Sequence, residues 1–268
     1  MSGEPTAGPA GAGAAAERAA SADGGVAAPA GRPAALVTGS AKGVGRAVLL
    51  ALAEDGFDVA VHYRRSREEA EEVAAAARAL GVSAVALRAD VTVEGEARGL
   101  VDAAVAAFGR LDVLVNNVGD YHHGPLAELD GETWRYMLDS NLNSTFYTCQ
   151  QAVPHLRRSP RGGRIVNVGY AGSQLVAARP GIVAYGIAKT GVILYSKALA
   201  KVEARHGLTV NVVSPGVLEN SVTKPLREIP MGRVGTLGEV TAAVRYLVSP
   251  EASYVTGVTL EVAGGWNL

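Results

Sequence analysis

The sequence predicts an α/β protein whose core is a doubly wound parallel sheet with helices on both faces. Three observations indicate this class. Short apolar runs alternate with longer helical patterns four times in succession, without a hairpin signal between them. A glycine-rich turn joins the first strand to the first helix, as in nucleotide-binding folds. The 268 residues are 48% hydrophobic, which is enough for one large core.

The composition narrows the classes of partner. The net charge is −1 and the pI is near 6.5, so neither nucleic acid nor an acidic membrane surface is predicted as a partner. No apolar run approaches the eighteen or so residues that a membrane span needs. Cys149 is the single cysteine, which excludes an intrachain disulfide and fits a reducing cytoplasm. Its helical context predicts a small buried side chain.

Residues 1–32 differ from the rest in composition, since almost all of them are Ala, Gly or Pro. They lack the apolar mass needed for a core, and they lack the Leu/Val-rich stretch of a signal peptide. We therefore expect a flexible, disordered tail, followed by one folded domain over residues 33–268. A start site set too far upstream would produce the same pattern.

The first strand is predicted over Pro33–Thr38, and a helix rich in Ala, Leu and Val over Arg46–Glu54. The glycines between them would let the backbone turn tightly and approach a pyrophosphate at the helix N-terminus. A plain strand-to-helix turn would explain one glycine but hardly three. We expect a dinucleotide to be bound here by Thr38, Gly39, Ser40, Lys42, Gly43, Val44 and Gly45.

The second strand, Phe57–His62, ends in Tyr63, Arg64, Arg65 and Ser66. In NAD-binding folds an acidic residue near this point binds the ribose 2′-hydroxyl. Here two arginines and a serine stand instead, and Lys42 lies in the glycine loop. Such a cluster would attract the 2′-phosphate that distinguishes NADPH. The other interpretation is a solvated charge cluster before a glutamate-rich helix. Because the acid is missing as well, we predict NADPH (NADP+) as the cofactor.

Further strands and helices complete the predicted sheet. Residues 217–235 have no clear period and several helix breakers, so we expect a mobile flap over the active site. The remaining strands are predicted over residues 83–88, 111–115, 163–168, 208–213 and 257–262. The remaining helices are predicted over residues 67–80, 132–158, 181–206 and 236–248, with a further helix that ends at residue 108.

Polar residues follow two of these strands, at the edge where a parallel sheet keeps its ligand. Asp90 and Val91 follow the third strand, and Asn116, Asn117 and Gly119 follow the fourth. For Asp90, the alternative is a helix N-cap.

Two histidines, His122 and His123, lie in the predicted loop over residues 120–131. No further His or Cys has zinc-ligand spacing here, so no metal site is predicted. We expect this pair at the rim of a substrate cleft.

The predicted helix over residues 181–206 contains the strongest candidate for acid–base chemistry. Tyr185 and Lys189 are one turn apart, so they share a face. A phenol with a pKa of about 10 is a poor acid–base catalyst at neutral pH, and an adjacent ammonium would lower that pKa. In isolation, however, such a pair is more often one core ring and one solvated amine. Asn141 is a second candidate, because asparagine is unfavourable inside a helix.

These motifs together resemble the short-chain dehydrogenase/reductase family over residues 33–268. The resemblance implies a seven-stranded Rossmann domain, usually a homotetramer, that moves hydride between a nicotinamide and a carbonyl or C=N carbon. The motifs that carry it are Thr38-Gly39-x-x-x-Gly43-x-Gly45, Asn116-Asn117-x-Gly119, Tyr185-x-x-x-Lys189 and Pro215-Gly216.

The resemblance also implies roles for individual residues. Tyr185 would be the general acid for reduction, and Lys189 would lower its pKa and hold the nicotinamide ribose. Asn141 would hold a proton-relay water. Around the cofactor, the resemblance places Asp90 at the adenine, Asn116 on the adenosine ribose side, and Val217 at the carboxamide beyond Pro215 and Gly216.

The sequence departs from the family at the catalytic serine that normally leaves the fifth strand. Counting forward along that strand places Tyr170 there, whereas counting back from Tyr185 reaches Gly172, beside Ser173. The strand fixes where a side chain projects, so Tyr170 is our first prediction and Ser173 the alternative. The flap departs as well, since Asn220-Ser221 stand where many relatives have a threonine.

The sequence supports three functional hypotheses. The first is an NADPH-dependent reductase of a 3-oxoacyl thioester, because the chain beyond Gly207 resembles the 3-oxoacyl-carrier-protein reductases. The second is a pteridine or dihydrofolate reductase, since those relatives lack the serine and share the pattern His62-Tyr63-x-Arg65-Ser66. The third is a non-catalytic sensor or interaction protein that binds NADPH.

Overall fold

The computed structural model describes residues 31–175 and 177–267, so the tail predicted for the first 32 residues lies almost wholly outside the described residues. Strands and helices alternate along this part of the chain. The strands are β1 Ala34–Val37, β2 Asp58–Tyr63, β3 Ala84–Arg88, β4 Val113–Asn116, β5 Arg164–Val168, β6 Thr209–Pro215 and β7 Thr259–Val262. The helices are α1 Gly43–Glu54, α2 Arg67–Ala79, α3 Glu94–Phe108, α4 Gly131–Leu138, α5 Ser144–Leu156, α6 Val183–Glu203 and α7 Leu237–Val248.

The seven strands form one parallel sheet in the order β3-β2-β1-β4-β5-β6-β7, which confirms the predicted fold class. β2 and β3 extend the sheet on one side of β1. The chain then crosses to the other side of β1, where β4, β5, β6 and β7 extend the sheet. The carboxyl ends of β1 and β4 therefore flank the point where the strand order reverses, and open sheets of this kind bind their ligand there.

Both faces of the sheet are covered, because side chains alternate along each strand and both sets are apolar. In β1, Ala35 and Val37 pack on the same side as α1, α2 and α7. Leu36, between them, packs on the other side with α3 and α5. Cys149 of α5 is fully buried in this second cluster, as predicted.

The helix predicted over residues 132–158 is interrupted. A turn of π-helix over Asp139–Asn143 separates α4 from α5. The apolar pattern continues through this turn, which explains why the sequence indicated one long helix. Such π-turns are rare, and they often occur at functional sites. Here the turn contains Asn141.

One helical segment, Pro180–His206, is long and apolar enough to cross a membrane, with a mean hydropathy of 1.2 over an 18-residue window. By that measure the prediction that no such segment exists is wrong. The segment contains α6, which packs against β6 and α4 and buries Ala188, Lys189 and Ser196. One third of that window is buried, so one face of the helix packs on the domain and the other is exposed.

Candidate active site

The loop between β1 and α1 has the backbone geometry of a cradle. Gly39 and Gly43 have φ values of +63° and +57°, which a residue with a side chain rarely adopts. A Cβ on Gly45 would overlap the carbonyl oxygen of Gly39 and would lie 2.6 Å from Nδ2 of Asn117. The three glycines therefore allow a close approach of the backbone that no other residue type would permit.

Buried side chains fix this cradle from below. The amide of Asn117 donates to the carbonyl oxygens of Thr38 and Gly39, at 3.0 and 3.2 Å. The Thr38 hydroxyl accepts from the backbone N–H of Asn117, at 2.9 Å. Ser40 is fully buried, and its hydroxyl donates to the carbonyl of Val37. The side chains of Thr38 and Ser40, predicted to bind the cofactor, are thus committed to the protein itself.

His62 was missed as a site residue by the sequence reasoning. Its Nδ1 accepts from the N–H of Gly39 at 2.8 Å, so it holds the first glycine of the cradle. Its Nε2 lies 3.1 Å from the carbonyl oxygen of Ala89. Burial lowers the pKa of His62, although the contact with Ala89 opposes the shift, so the neutral ring is favoured. A histidine at the end of an apolar strand, facing the loop, was the available signal.

The basic cluster after β2 divides into separate roles. Arg64 is held by other side chains, since it donates to the Tyr136 hydroxyl at 3.1 Å and lies 3.7 Å from a carboxylate oxygen of Asp90. Arg65 is exposed and forms no ion pair with any described residue. Lys42 in the glycine loop is exposed and pairs with Glu69 at 2.6 Å. Arg65 is consequently the cation best placed for a 2′-phosphate.

Two other members of the predicted cofactor set lie beside Arg65 in the chain. Tyr63 is partly buried and packs against the core. Ser66 stands at the N-cap of α2, where its side chain forms no capping hydrogen bond.

The structure bears on one of the two roles predicted for Asp90, that of a helix N-cap. Asp90 is not a helix N-cap, because α3 begins later and Val93 is its N-cap. Burial acts to raise the pKa of the Asp90 carboxyl, but hydrogen bonds from Thr92 and the charges of Arg64 and Arg65 hold it below its usual value. The carboxylate remains about one-third exposed, so it is still accessible to a ligand. Val91, beside it, is buried in the core.

The side chain of Asn116 faces the interior. Its amide nitrogen donates to Asn167 at 2.9 Å and to the sulfur of Cys149, and its oxygen accepts from Thr148 at 2.7 Å. These bonds occupy the side chain of Asn116, and its predicted place on the adenosine ribose side stays a prediction. Asn116 is the last residue of β4, and strand alternation turns its side chain toward Thr148 and Cys149 of α5.

Tyr185 lies on α6 between two other tyrosine rings. The ring of Tyr121 is 5.1 Å away edge-on, and that of Tyr170 is 5.4 Å away, centroid to centroid. Nζ of Lys189 lies 5.8 Å from the centre of the Tyr185 ring. The helical spacing thus places the phenol and the ammonium on one face, as predicted.

The electrostatics of this pair differ from the prediction. Burial, followed by the neighbouring phenols of Tyr170 and Tyr121, raises the pKa of Tyr185 rather than lowering it. The ammonium of Lys189 donates to the carbonyl oxygen of Val168 at 2.8 Å, and burial dominates the shift at Tyr185. Burial also lowers the pKa of Lys189 to about 8. At neutral pH both groups therefore hold their protons.

Asn141 is fully buried and is held by its amide nitrogen, which donates to the carbonyl oxygens of Asp120 and Met137 at 2.9 and 3.0 Å. Its side-chain oxygen has no hydrogen-bond partner among residues 31–175 and 177–267. A Cβ on Gly119 would overlap this oxygen and would lie 2.9 Å from Nζ of Lys189. Gly119 thus keeps open a small polar space between the amide oxygen and the ammonium.

The structure separates the two candidates for the missing serine. The Ser173 hydroxyl donates to the carbonyl oxygen of Tyr170 at 2.6 Å, so it closes its own turn. The Tyr170 hydroxyl is buried and has no partner in the described residues. Its ring lies against Tyr185, with the guanidinium of Arg179 5.5 Å from the ring centre. Of the two hydroxyls, only that of Tyr170 is available beside Tyr185.

The segment after β6 reaches over the cradle. Gly216 is required by close packing, since a Cβ there would lie 2.8 Å from Cα of Ala263. The Val217 carbonyl accepts from Gly235, so the two ends of the predicted flap are tied together. Asn220 in the flap lies over the glycine loop, with Nδ2 3.3 Å from the position a Cβ on Gly43 would take. The flap therefore lies close to the glycine loop at this point.

The loop that contains His122 and His123 packs against the residues that lead into α6. A Cβ on Gly181 would lie 2.8 Å from Nε2 of His123. The backbone N–H of Gly124 donates a hydrogen bond to the carbonyl oxygen of Gly181. Within residues 31–175 and 177–267, no group of three or more His, Cys, Asp or Glu side chains is arranged to hold a metal ion.

The glycine cradle lies beside a tyrosine, a lysine and an asparagine, at the point where the strand order reverses. This arrangement defines a dinucleotide-dependent oxidoreductase. Comparisons with known proteins agree. A family model described as enoyl-(acyl carrier protein) reductase matches residues 39–267. The 3-oxoacyl-[acyl-carrier-protein] reductase FabG of Staphylococcus aureus is 38% identical over 242 residues, which cover 86% of this chain and 96% of the relative.

Two further relatives differ in what their names say. Glucose 1-dehydrogenase 2 of Bacillus subtilis is 36% identical over 247 residues, covering 87% of this chain and 94% of that protein. A short-chain dehydrogenase of Burkholderia cenocepacia, solved in complex with NADP, has a TM-score of 0.83 at 34% identity and covers 88% of this chain and 98% of its own. The chain belongs to the short-chain dehydrogenase/reductase family, which confirms the resemblance.

Proposed function

We propose that the protein reduces the ketone of a 3-oxoacyl thioester with NADPH, and that Tyr185 is the general acid. The observation that carries this proposal is the convergence of Tyr185, Lys189 and the unpaired oxygen of Asn141 beside the glycine cradle. The identity to a 3-oxoacyl-[acyl-carrier-protein] reductase over most of both chains supports the substrate class.

The cradle fits a dinucleotide cofactor. Three glycines leave room for a pyrophosphate at the start of α1, where backbone N–H groups and the helix dipole favour negative charge. Arg65 is exposed and forms no ion pair with a described residue, which favours the 2′-phosphate of NADPH over the hydroxyl of NADH. The NADP in the Burkholderia relative agrees with this choice. When bound, NADPH supplies the hydride.

In this proposal the proton comes from Tyr185. Its raised pKa keeps the phenol protonated at neutral pH, as a proton donor for reduction must be. The charge of Lys189 then stabilises the phenolate that forms. Asn141 and Lys189 hold a water in the space that Gly119 leaves open, and this water returns a proton to Tyr185. Tyr170 takes the serine's place and donates a hydrogen bond to the substrate oxygen.

We further propose a homotetramer in the cytoplasm. The outward face of α6 carries Ile187 and Leu194, which are 47% and 64% exposed, and an apolar cavity of about 410 Å³ lies beside them. Contiguous exposed apolar surface of this kind usually marks an interface. Light scattering of the purified full chain measures the assembly directly, and a monomer at micromolar concentration would contradict the proposal.

The first test of function is the loss of NADPH absorbance with two substrates, an acetoacetyl thioester and dihydrobiopterin. Turnover of the thioester alone supports the proposal. Turnover of the pterin alone would replace this proposal with the pteridine reductase hypothesis. The histidine of the sequence pattern shared with those enzymes, His62, accepts a hydrogen bond from Gly39, so its presence has a structural explanation as well. Tight NADPH binding without turnover of either substrate would favour a sensor.

A further inference from the structure

A second cavity, of about 430 Å³, lies at the opposite edge of the sheet from the candidate active site. It is bordered by the residues that enter β2, β4 and β5 and by the carboxyl end of α7. All strands are parallel, so this is their amino edge. β5 separates the two edges by its full length, roughly 13 Å at about 3.3 Å per residue. A ligand in this cavity would not contact Tyr185.

The cavity contains a buried guanidinium without an anion. Arg164, the first residue of β5, is only 4% exposed. Its Nη1 donates to the adjacent carbonyl of Gly163 at 3.1 Å, while its Nε has no hydrogen-bond partner in the described part of the chain. Arg164 also forms no ion pair within 4.0 Å with another described residue. A buried arginine is normally paired, because desolvating an unpaired charge is costly.

The carboxylates that line the cavity are already neutralised by other groups. Asp112 accepts two hydrogen bonds from Arg110, at 2.6 and 2.7 Å, and a third from the Ser159 hydroxyl. Asp55 accepts two hydrogen bonds of 2.8 Å from Arg245. Neither carboxylate is left to balance Arg164.

A second cation adds to the excess of positive charge. Arg161 lines the same cavity, is exposed and forms no ion pair with a described residue. Burial, and then the charge of Arg161, lower the pKa of Arg164. The cavity thus contains two guanidinium groups whose charges no described carboxylate offsets.

We propose that this cavity binds a small oxyanion, a phosphate or carboxylate group of a metabolite, between the guanidinium groups of Arg164 and Arg161. The planar guanidinium offers two parallel N–H groups, which match the oxygens of either anion. Phe57, Tyr246 and Val248 provide apolar walls, so there is room for an organic portion of the ligand as well. The site is independent of the proposed reductase activity.

The test is calorimetric titration of the full-length protein with inorganic phosphate and, separately, with acetate, at constant ionic strength. The variants are Arg164→Gln and Arg161→Gln. Arg158→Gln is the matched control, because Arg158 is exposed in the same region and does not line the cavity. Charge-assisted contacts predict an affinity loss of about tenfold in Arg164→Gln and about fivefold in Arg161→Gln, with no change in the control.

The outcomes separate this site from the cofactor loop. Weaker phosphate binding only in Arg65→Gln would place the anion at the cradle and overturn the proposal. Equal affinities in wild type, Arg161→Gln and Arg158→Gln would also overturn it, as would the absence of heat with both anions. If Arg164→Gln does not fold, the comparison of Arg161→Gln with Arg158→Gln decides. The stronger of the two probes identifies the anion class.

Discussion

The two edges of the sheet each bury one cation, and the surroundings of those cations differ. At the carboxyl edge, Lys189 lies beside Tyr185, the free oxygen of Asn141 and a backbone carbonyl. At the amino edge, Arg164 has one adjacent carbonyl and a second guanidinium in the same cavity. Lysine can release its proton when buried, whereas arginine stays charged. The carboxyl edge is thus equipped for proton transfer, and the amino edge only for binding.

The largest effect that distinguishes the carboxyl edge is expected from Tyr185→Phe. We expect kcat to fall about a thousandfold, because general acid catalysis contributes factors of this order. Tyr121→Phe is the matched control, since Tyr121 contacts the same ring but is 62% exposed. Steady-state kinetics with the thioester measure both variants. Equal losses in the two would contradict a specific role of Tyr185 as the general acid, because either hydroxyl would then matter equally.

Replacing each buried cation by methionine compares the edges directly. Lys189→Met should lower kcat about a hundredfold, since it removes the charge opposite the forming phenolate. Lys189→Met and Arg164→Met should each raise the free energy of unfolding by about 2 kcal/mol at neutral pH, as removing buried charge often does. Urea unfolding gives this value. A destabilised Arg164→Met protein would mean that the arginine is better solvated than its burial indicates.

The lysine should also give the carboxyl edge a distinct pH dependence. Its folded pKa of about 8 is below the usual unfolded value of about 10.4. Between these two pKa values the unfolded chain binds more protons at this lysine than the folded protein does, so the free energy of unfolding rises with pH. Below pH 8 the full cost of burying the charged lysine applies. Relative to Lys189→Met, the wild type should gain about 2 kcal/mol between roughly pH 7.5 and 9.5. Parallel curves would contradict the lowered pKa.

The division of the two arginines after β2 predicts a smaller effect, on cofactor choice. Arg65→Gln should raise the KM for NADPH about tenfold and leave that for NADH unchanged, because only NADPH has the 2′-phosphate. Arg64→Gln should change either KM less than about threefold, since Arg64 is turned to Tyr136 and Asp90. Equal rises in both variants would mean that Arg64 reorients when the cofactor binds.

The fold could be predicted from the sequence because short apolar runs and glycines report directly on strands and turns. The direction of polar side chains could not. Asn116 follows an apolar run just as Asn117 does, yet the first faces the core and the second supports the cradle. Which of the two turns inward depends on strand alternation, and a one-residue error in the end of β4 reverses the answer.

The candidate site shows the same limit for electrostatics. Helical spacing predicted that Tyr185 and Lys189 share a face, but not that the ammonium would point to Val168. The neighbouring ring of Tyr121 comes from a loop without periodicity, so no pattern indicated that it would lie beside Tyr185. Burial by such distant segments then raises the phenol's pKa, which spacing along one helix cannot reveal.

The smallest effect concerns the hydroxyl that we propose takes the place of the serine. Tyr170→Phe should lower kcat about tenfold, because its buried hydroxyl is free to bond the substrate oxygen. Ser173→Ala should leave kcat within about twofold and lower the free energy of unfolding by about 1 kcal/mol, because its hydroxyl bonds the carbonyl of Tyr170. The two variants differ from wild type by one oxygen atom each, so packing is nearly preserved. A larger loss of kcat in Ser173→Ala than in Tyr170→Phe would assign the serine's role to Ser173. The hydrogen bond from Ser173 to the carbonyl of Tyr170 would then have to break during catalysis.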